Sequence, residues 1–165
     1  MKRKTKIALL IIWIISLGVV ALAQNKVSLS IHQDATTDGN VSVITRFKMQ
    51  GLQQKNGYLV VYPEFQYSEL DSNFKRYSAN IGYTFNQLVL EKIELSAFGG
   101  WGFIQAYGNK SYFSFSGSGE LAYKITDNIK GSAIAQLTER KDLEWLSGNK
   151  EIQFSIFIGL EINLN

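Results

Sequence analysis

Residues 151–165 read EIQFSIFIGLEINLN. Ile152, Phe154, Ile156, Ile158, Leu160, Ile162 and Leu164 share one face of an extended chain. Glu151, Gln153, Ser155, Gly159, Glu161, Asn163 and Asn165 share the other, with Phe157 as the only large apolar residue among them. Successive strand residues point to opposite sides, so this period-two pattern predicts a strand with one apolar and one polar face. The run is long enough to cross a bilayer as a tilted strand. Its place as the last stretch of the sequence, with no helix after it, points to a membrane barrel.

The first residues, MKRKTKIALLIIWIISLGVVALAQ, have the form of an export signal. Lys2, Arg3, Lys4 and Lys6 make a positive start, residues 7–20 an apolar stretch, and Ala21-Leu22-Ala23 an A-x-A cleavage site. Residues 1–23 are therefore expected to be a signal peptide and residues 24–165 the barrel. The alternative is an uncleaved inner-membrane helix. No Cys follows the cleavage site, which excludes a lipoprotein.

The formal net charge is +3, and the four cations of the leader carry it; without them the remainder is near −1. The positive balance belongs to targeting and gives no case for nucleic acid. The absence of Cys excludes disulfides and thiol chemistry. About 142 residues remain after Ala23, one domain's worth. No later apolar run approaches the length of a spanning helix.

Seven further alternating segments precede the last: residues 26–33, 41–50, 58–69, 76–86, 91–107, 112–125 and 129–140. Turn-forming stretches separate them, among them DATTDGN at 34–40, GLQQKNG at 51–57 and TDN at 126–128. The predicted fold is all-β: an eight-stranded antiparallel up-and-down transmembrane β-barrel. An even strand number places both ends of the barrel on the periplasmic side. Loops 34–40, 70–75, 108–111 and 141–150 then face outward from the cell.

Lipid requires an apolar outer wall and internal satisfaction of the backbone, which a sheet achieves only by closing. Arg46, Lys48, Glu64, Arg76, Glu94, Glu120, Lys124, Arg140 and Glu161 lie opposite the apolar stripes. In an eight-stranded barrel the interior is just wide enough for side chains to fill. These charges are expected to pair there as a plugged ionic core. Tyr67, Tyr77, Phe85, Trp101, Tyr107, Tyr112 and Tyr123 are expected to form interfacial girdles, with Trp101 the weakest fit. A periplasmic lipocalin-like barrel would reverse the faces. The wealth of Ser, Gly, Asn and Ala on the polar face, and the small share of Lys and Glu, argue against it.

His32 is the only histidine. Its neighbours Ser30 and Asp34 lie on the same strand face, a spacing that does not by itself give a catalytic triad. Asp34 and Asp38 flank a turn but form no calcium-loop pattern. The glycines at 99, 100, 102, 117 and 119 lie in strands and form no phosphate loop; they are expected to relieve crowding where strands curve. No cofactor or metal is expected. The best candidates for surface contact are Asp34 and Asp38 in one loop and Leu143, Trp145 and Leu146 in another.

Four stretches carry a resemblance: RYSANIGYTF (76–85), LSAFGGWGF (95–103), GELAYKITDNIKGSAIAQLTER (119–140) and FSIFIGLEINL (154–164). Together they resemble the small OmpX-like and OmpA-transmembrane-like outer-membrane barrels, in the style of the Bacteroidota. The chain departs from many of these at Leu164-Asn165, where they carry an aromatic residue read by the assembly machinery. Lipid A-modifying members place a His-x-Ser pair late in the chain, where this sequence has no His. The resemblance implies a non-enzymatic barrel acting in envelope structure, surface contact or phage attachment. The implied partners are outer-membrane lipid, lipopolysaccharide, the barrel-assembly machinery and a surface protein or phage. A narrow porin-like channel is the alternative.

Overall fold

The computed structural model describes residues 26–36, 41–69, 74–86, 92–106, 110–149 and 151–164. The leader, and with it the signal-peptide reading, lies outside them. Eight strands follow one another: β1 (Val27–Asp34), β2 (Ser42–Gln54), β3 (Gly57–Ser68), β4 (Phe74–Asn86), β5 (Ile93–Ala106), β6 (Lys110–Lys124), β7 (Ile129–Glu139) and β8 (Ile152–Asn163). A short helix, α1 (Lys141–Ser147), interrupts the last connection. Each strand pairs antiparallel with the next, and β1 pairs with β8 from Ser28↔Asn163 to Asp34↔Phe157, closing the barrel.

Two connections differ from the sequence reading. Residues 51–57 were expected to be a long turn. Instead β2 and β3 extend through most of that stretch, and the turn is only Lys55-Asn56, with Gln54 paired to Gly57. The register shifts between Gln50 and Gln53, which oppose Val60 and Tyr58. This is a β-bulge: one extra residue sits on β2, and it hides the alternation from a simple count. Residues 141–150 were expected to be a loop, but α1 occupies most of it. Asp142 and Glu144 lie in its first turn, where the helix dipole favours acids. Gly148 ends it at φ 73°, donating its N–H to Glu144 O. Only glycine takes that conformation without strain.

The distribution of side chains is the reverse of that in a soluble protein. Ile31, Trp101, Phe103, Phe115, Leu121, Ile158 and Leu160 are about half exposed on the outer wall, whereas Arg46 and Arg76 are fully buried inside it. A water-facing barrel with this arrangement would leave its charges dry and its apolar groups wet, both at high cost. In hydrocarbon the same arrangement is favourable. The reversed, lipocalin-like arrangement is not what the chain adopts.

Aromatic side chains concentrate on this wall. Phe65, Tyr77, Phe103 and Phe113 occupy paired positions on β3, β4, β5 and β6, forming a continuous row. Phe65 and Tyr77 stand 5.1 Å apart, Phe103 and Phe113 5.7 Å. Trp101 pairs with Phe115 beside this row. Tyr83 and Phe85 stack edge-on at 4.8 Å toward the opposite end. Tyr112 is a correction: it pairs with inward-facing Ile104, and its hydroxyl is buried. Tyr107 lies outside the described residues.

Candidate functional site

Inward positions from seven strands build one chain of ion pairs. Arg76 (β4) donates to Glu64 Oε1 at 2.8 Å. Glu64 (β3) receives Arg46 Nε at 2.7 Å, and Arg46 (β2) reaches Glu120 Oε2 at 3.0 Å. Lys48 (β2) bridges Glu120 (β6) and Glu161 (β8) at 2.5 Å each. Lys130 (β7) joins Glu161 at 3.5 Å to Glu94 (β5) at 2.7 Å. Four cations alternate with four carboxylates along these contacts, so the string is electrically neutral. β1 has no charge in it but supplies Ser28, which donates to Glu161 Oε1 at 3.0 Å.

Alternation explains the assembly. The polar face of each strand must point inward, and eight such faces converge on a narrow axis. Each charge is desolvated there and must find a partner. Apolar groups share the same interior. Tyr62 and Phe98 meet edge-on at 5.0 Å, with the Arg46 guanidinium 4.8 Å from the Tyr62 ring. Ile44, Ile134 and Phe157 form a second cluster, and Phe74, Ile104 and Ala106 a third. These charged and apolar side chains together occupy the middle of the lumen.

Several expected positions fall differently from one another. Arg140 is not in the chain: it lies just beyond β7 and forks onto Asp142 at 2.9 and 2.7 Å, with its guanidinium 4.5 Å from the Phe74 ring. Arg140 also donates to Gln153. This buried group ties α1 over the mouth at which β1, β3, β5 and β7 end. Lys124 lies at the opposite mouth, outside the ion chain. Lys130 and Asp142 were not singled out from the sequence. Lys130 shares the parity of Ser132, Gln136 and Thr138, and that signal could have found it.

The surface-contact candidates divide as well. Asp34 is buried, its carboxylate accepting the Thr36 N–H at 2.8 Å and hydroxyl at 2.6 Å. It closes a turn rather than presenting a charge outward. Asp38 lies outside the described residues. Leu143 is half-buried on α1, and Trp145 and Leu146 lie on the same helix. His32 Nε2 stands 2.6 Å from Ser132 Oγ, both buried inside the wall, and Nδ1 has no hydrogen-bond partner among the described residues. A His–Ser contact without an acid and sealed from substrate has the geometry of a packed polar pair. Among the described residues, no three His, Asp or Glu side chains group to hold a metal.

Among the described residues, the mouth beside Lys124 is open. A cavity of about 250 Å³ enters there, lined by Tyr58, Glu94, Lys124, Lys130 and neighbouring amides. Beyond it, between Ser28, Lys48 and Glu161, the remaining gap is about 10 Å³. That is room for about one water molecule.

This barrel fold is shared with solved transmembrane barrels. The Yersinia pestis outer membrane protein Ail, in a phospholipid bilayer nanodisc, matches 85% of this chain and 99% of its own, with TM-score 0.54 and 16% identity. The crystal structure of Ail, the attachment invasion locus protein, gives TM-score 0.51 at 12% identity over 84% of this chain and 96% of its own. A de novo designed transmembrane β-barrel gives TM-score 0.51 at 12% identity over 85% and 94%. The fold is that of a small transmembrane barrel. No protein-family model and no curated protein matches the sequence.

Proposed function

We propose that the chain is a non-enzymatic outer-membrane barrel, exported behind a signal peptide cleaved after Ala23, with a role in envelope structure and surface contact. The carrying observation is the filled lumen inside an apolar wall. Four alternating ion pairs' worth of charge, two apolar clusters and the Arg140–Asp142 group occupy the space a channel would need. The buried His32–Ser132 contact offers a lipid substrate no access. Outer-leaflet lipid, lipopolysaccharide and the barrel-assembly machinery are the partners this reading implies.

The test combines location with conductance. The expected protein runs from the outer-membrane fraction as a compact band that shifts on boiling, with Gln24 as its first residue. In planar bilayers it is expected to be silent. Recovery from the soluble periplasm would overturn the reading, and discrete conductance steps would replace it with a narrow pore. Surface contact draws support from α1, which sits across the capped mouth. Replacing residues 35–40 and 143–150 together, which spares the buried Asp34 and Asp142, is then expected to abolish partner or phage binding while the heat-modifiable band persists. Unchanged binding would remove that role.

A further inference from the structure

The outer wall has a step where β7 ends. β6 pairs with β5 as far as Ala106↔Lys110, yet with β7 only from Ser116↔Thr138 inward. β8 begins level with the last residue of β7, at Glu139↔Ile152. Beyond Glu139 the chain turns into α1, over the mouth. Among the described residues this leaves a groove of about 270 Å³, lined by Phe115, Ser116, Gly117, Leu137, Glu139 and Ile152. All of these except Ser116 have the outward parity of their strands, so the groove lies on the lipid side of the wall.

Its shape and charge run in one direction. Phe115, stacked edge-on against Phe113 at 5.0 Å, makes one flank, and the exposed Leu137 and Ile152 make the other. Gly117 is the floor: a Cβ there would meet only Phe98 O, at 4.0 Å. Gly117 follows Phe113 of the aromatic row by two outward positions, toward the middle of the barrel, which sets the floor at the depth of hydrocarbon. Glu139 stands at the other end, where β7 stops. It accepts the Phe115 N–H at 3.4 Å and lies 3.9 Å from Lys141 Nζ. That separation is too long for a hydrogen bond, and the Lys141 side chain is 39% exposed. The groove is thus apolar along its length and carries an accessible ammonium at its head.

We propose that this groove holds one acyl chain of lipid A, the lipid part of lipopolysaccharide, with a lipid A phosphate on Lys141. The proposal rests on the outer-membrane reading above and gives its lipid partner a site. The groove continues the apolar wall, so its occupant arrives along the membrane and not through the lumen. Water on that floor would find few polar partners, and an empty groove would forfeit dispersion contacts along its lining. A hydrocarbon chain meets neither cost. β7 ends on the side that the strand count turns outward, the leaflet that lipopolysaccharide forms. Lipid A carries phosphate and several acyl chains in one molecule, and therefore engages the head and the floor together. A second copy of the chain is the competing occupant.

The barrel is folded in phosphatidylcholine nanodiscs that contain a rising fraction of lipid A. The NMR signals of the Gly117 amide and the Leu137 and Ile152 methyl groups are followed, with Ile158 and Leu160 on the same wall as reference. The groove signals are expected to shift and to level off at a low lipid A fraction, while the reference signals change only in proportion to it. Gly117→Leu fills the floor from the lipid side and is expected to abolish the levelling-off at Leu137 and Ile152, with the barrel still shifting on boiling. Lys141→Gln is expected to weaken binding about fivefold, the worth of one lysine near an anionic lipid surface. Proportional change at every position, equal saturation by diacylglycerol, which lacks phosphate, or groove signals that follow the number of barrels per disc would each overturn the proposal; the last would assign the groove to a second copy. None of these results alters the boiling shift or the membrane fraction, on which the outer-membrane reading stands or falls, so the two fail separately. The first titration uses the unaltered chain and does not depend on any variant folding.

Discussion

Glu64→Gln is expected to lower the stability of the folded barrel by about 3–5 kcal/mol, the cost of leaving buried charge unpaired. The Glu64 carboxylate sits between two fully buried guanidinium groups, Arg46 at 2.7 Å and Arg76 at 2.8 Å. Gln136 and Ser78 also donate to its Oε1, at 3.1 and 3.3 Å. Every group around it is thus a donor. An amide removes the anion and turns one acceptor into another donor, facing donors on all sides. Arg46 keeps Glu120 at 3.0 Å, whereas Arg76 keeps, among the described residues, the Ser116 hydroxyl at 2.7 Å. Glu94→Gln makes the matched control. Its side chain is 17% exposed at the open mouth, where water screens the loss, and the change is expected to cost less than about 1 kcal/mol. Urea unfolding in lipid vesicles measures both. Similar losses at the two sites would show that burial does not set the energetics of the chain. The double change Glu64→Leu and Arg76→Met is expected to cost less than Glu64→Gln alone, because it removes one cation and one carboxylate from the end of the string and leaves Arg46 on Glu120.

Strand faces were legible because lipid and a narrow lumen both enforce period two. Residues 151–165 show this best: Phe157, the exception on the polar face, is fully buried against Ile44 and Ile134. An apolar residue on the inner face is not a break in pattern when the interior is a packed core. The same holds for Tyr58, Val60, Tyr62 and Phe98, whose cluster alternation alone could not distinguish from outer-wall residues. The carboxylates and guanidiniums were visible as a set, but their partners were not. Arg46 and Glu120 meet across the lumen, from β2 and β6, and no local spacing encodes that meeting. The bulge at residues 50–53 and the seven-residue α1 were hidden for different reasons. One adds a single residue and resets the parity. The other is too short to display a helical period.

The glycines separate in a way that the sequence did not, and Gly159→Ala is expected to be the more damaging of two otherwise similar changes. A Cβ at Gly159 would lie 2.0 Å from Ile31 O and 2.6 Å from the His32 Cα. Those are backbone atoms of β1, the strand that closes the barrel against β8. Backbone cannot rotate away as a side-chain tip can, so relief requires the seam to widen. A parted seam leaves peptide groups unpaired in hydrocarbon, at several kcal/mol each. Gly100 and Gly102 are likewise hemmed in, by Asn80 in one case and by Tyr77 O and Ser78 in the other. Gly99, Gly117 and Gly119 are not. They point outward, and a Cβ there meets nothing closer than 3.9 Å. The crowding expected of all five therefore applies only to Gly100 and Gly102. Gly159→Ala is expected to cost about 3 kcal/mol, at the upper end of overpacking, and to erase the compact unboiled band. Gly117→Ala is expected to stabilise by about 0.4–1 kcal/mol, because it narrows the unfolded chain's freedom and clashes with nothing. Equal band shifts and equal urea midpoints for the two variants would mean that the inner face of the seam has room to spare. A glycine on the lumen side is required by how closely its neighbouring strand approaches, and a glycine on the lipid side is not.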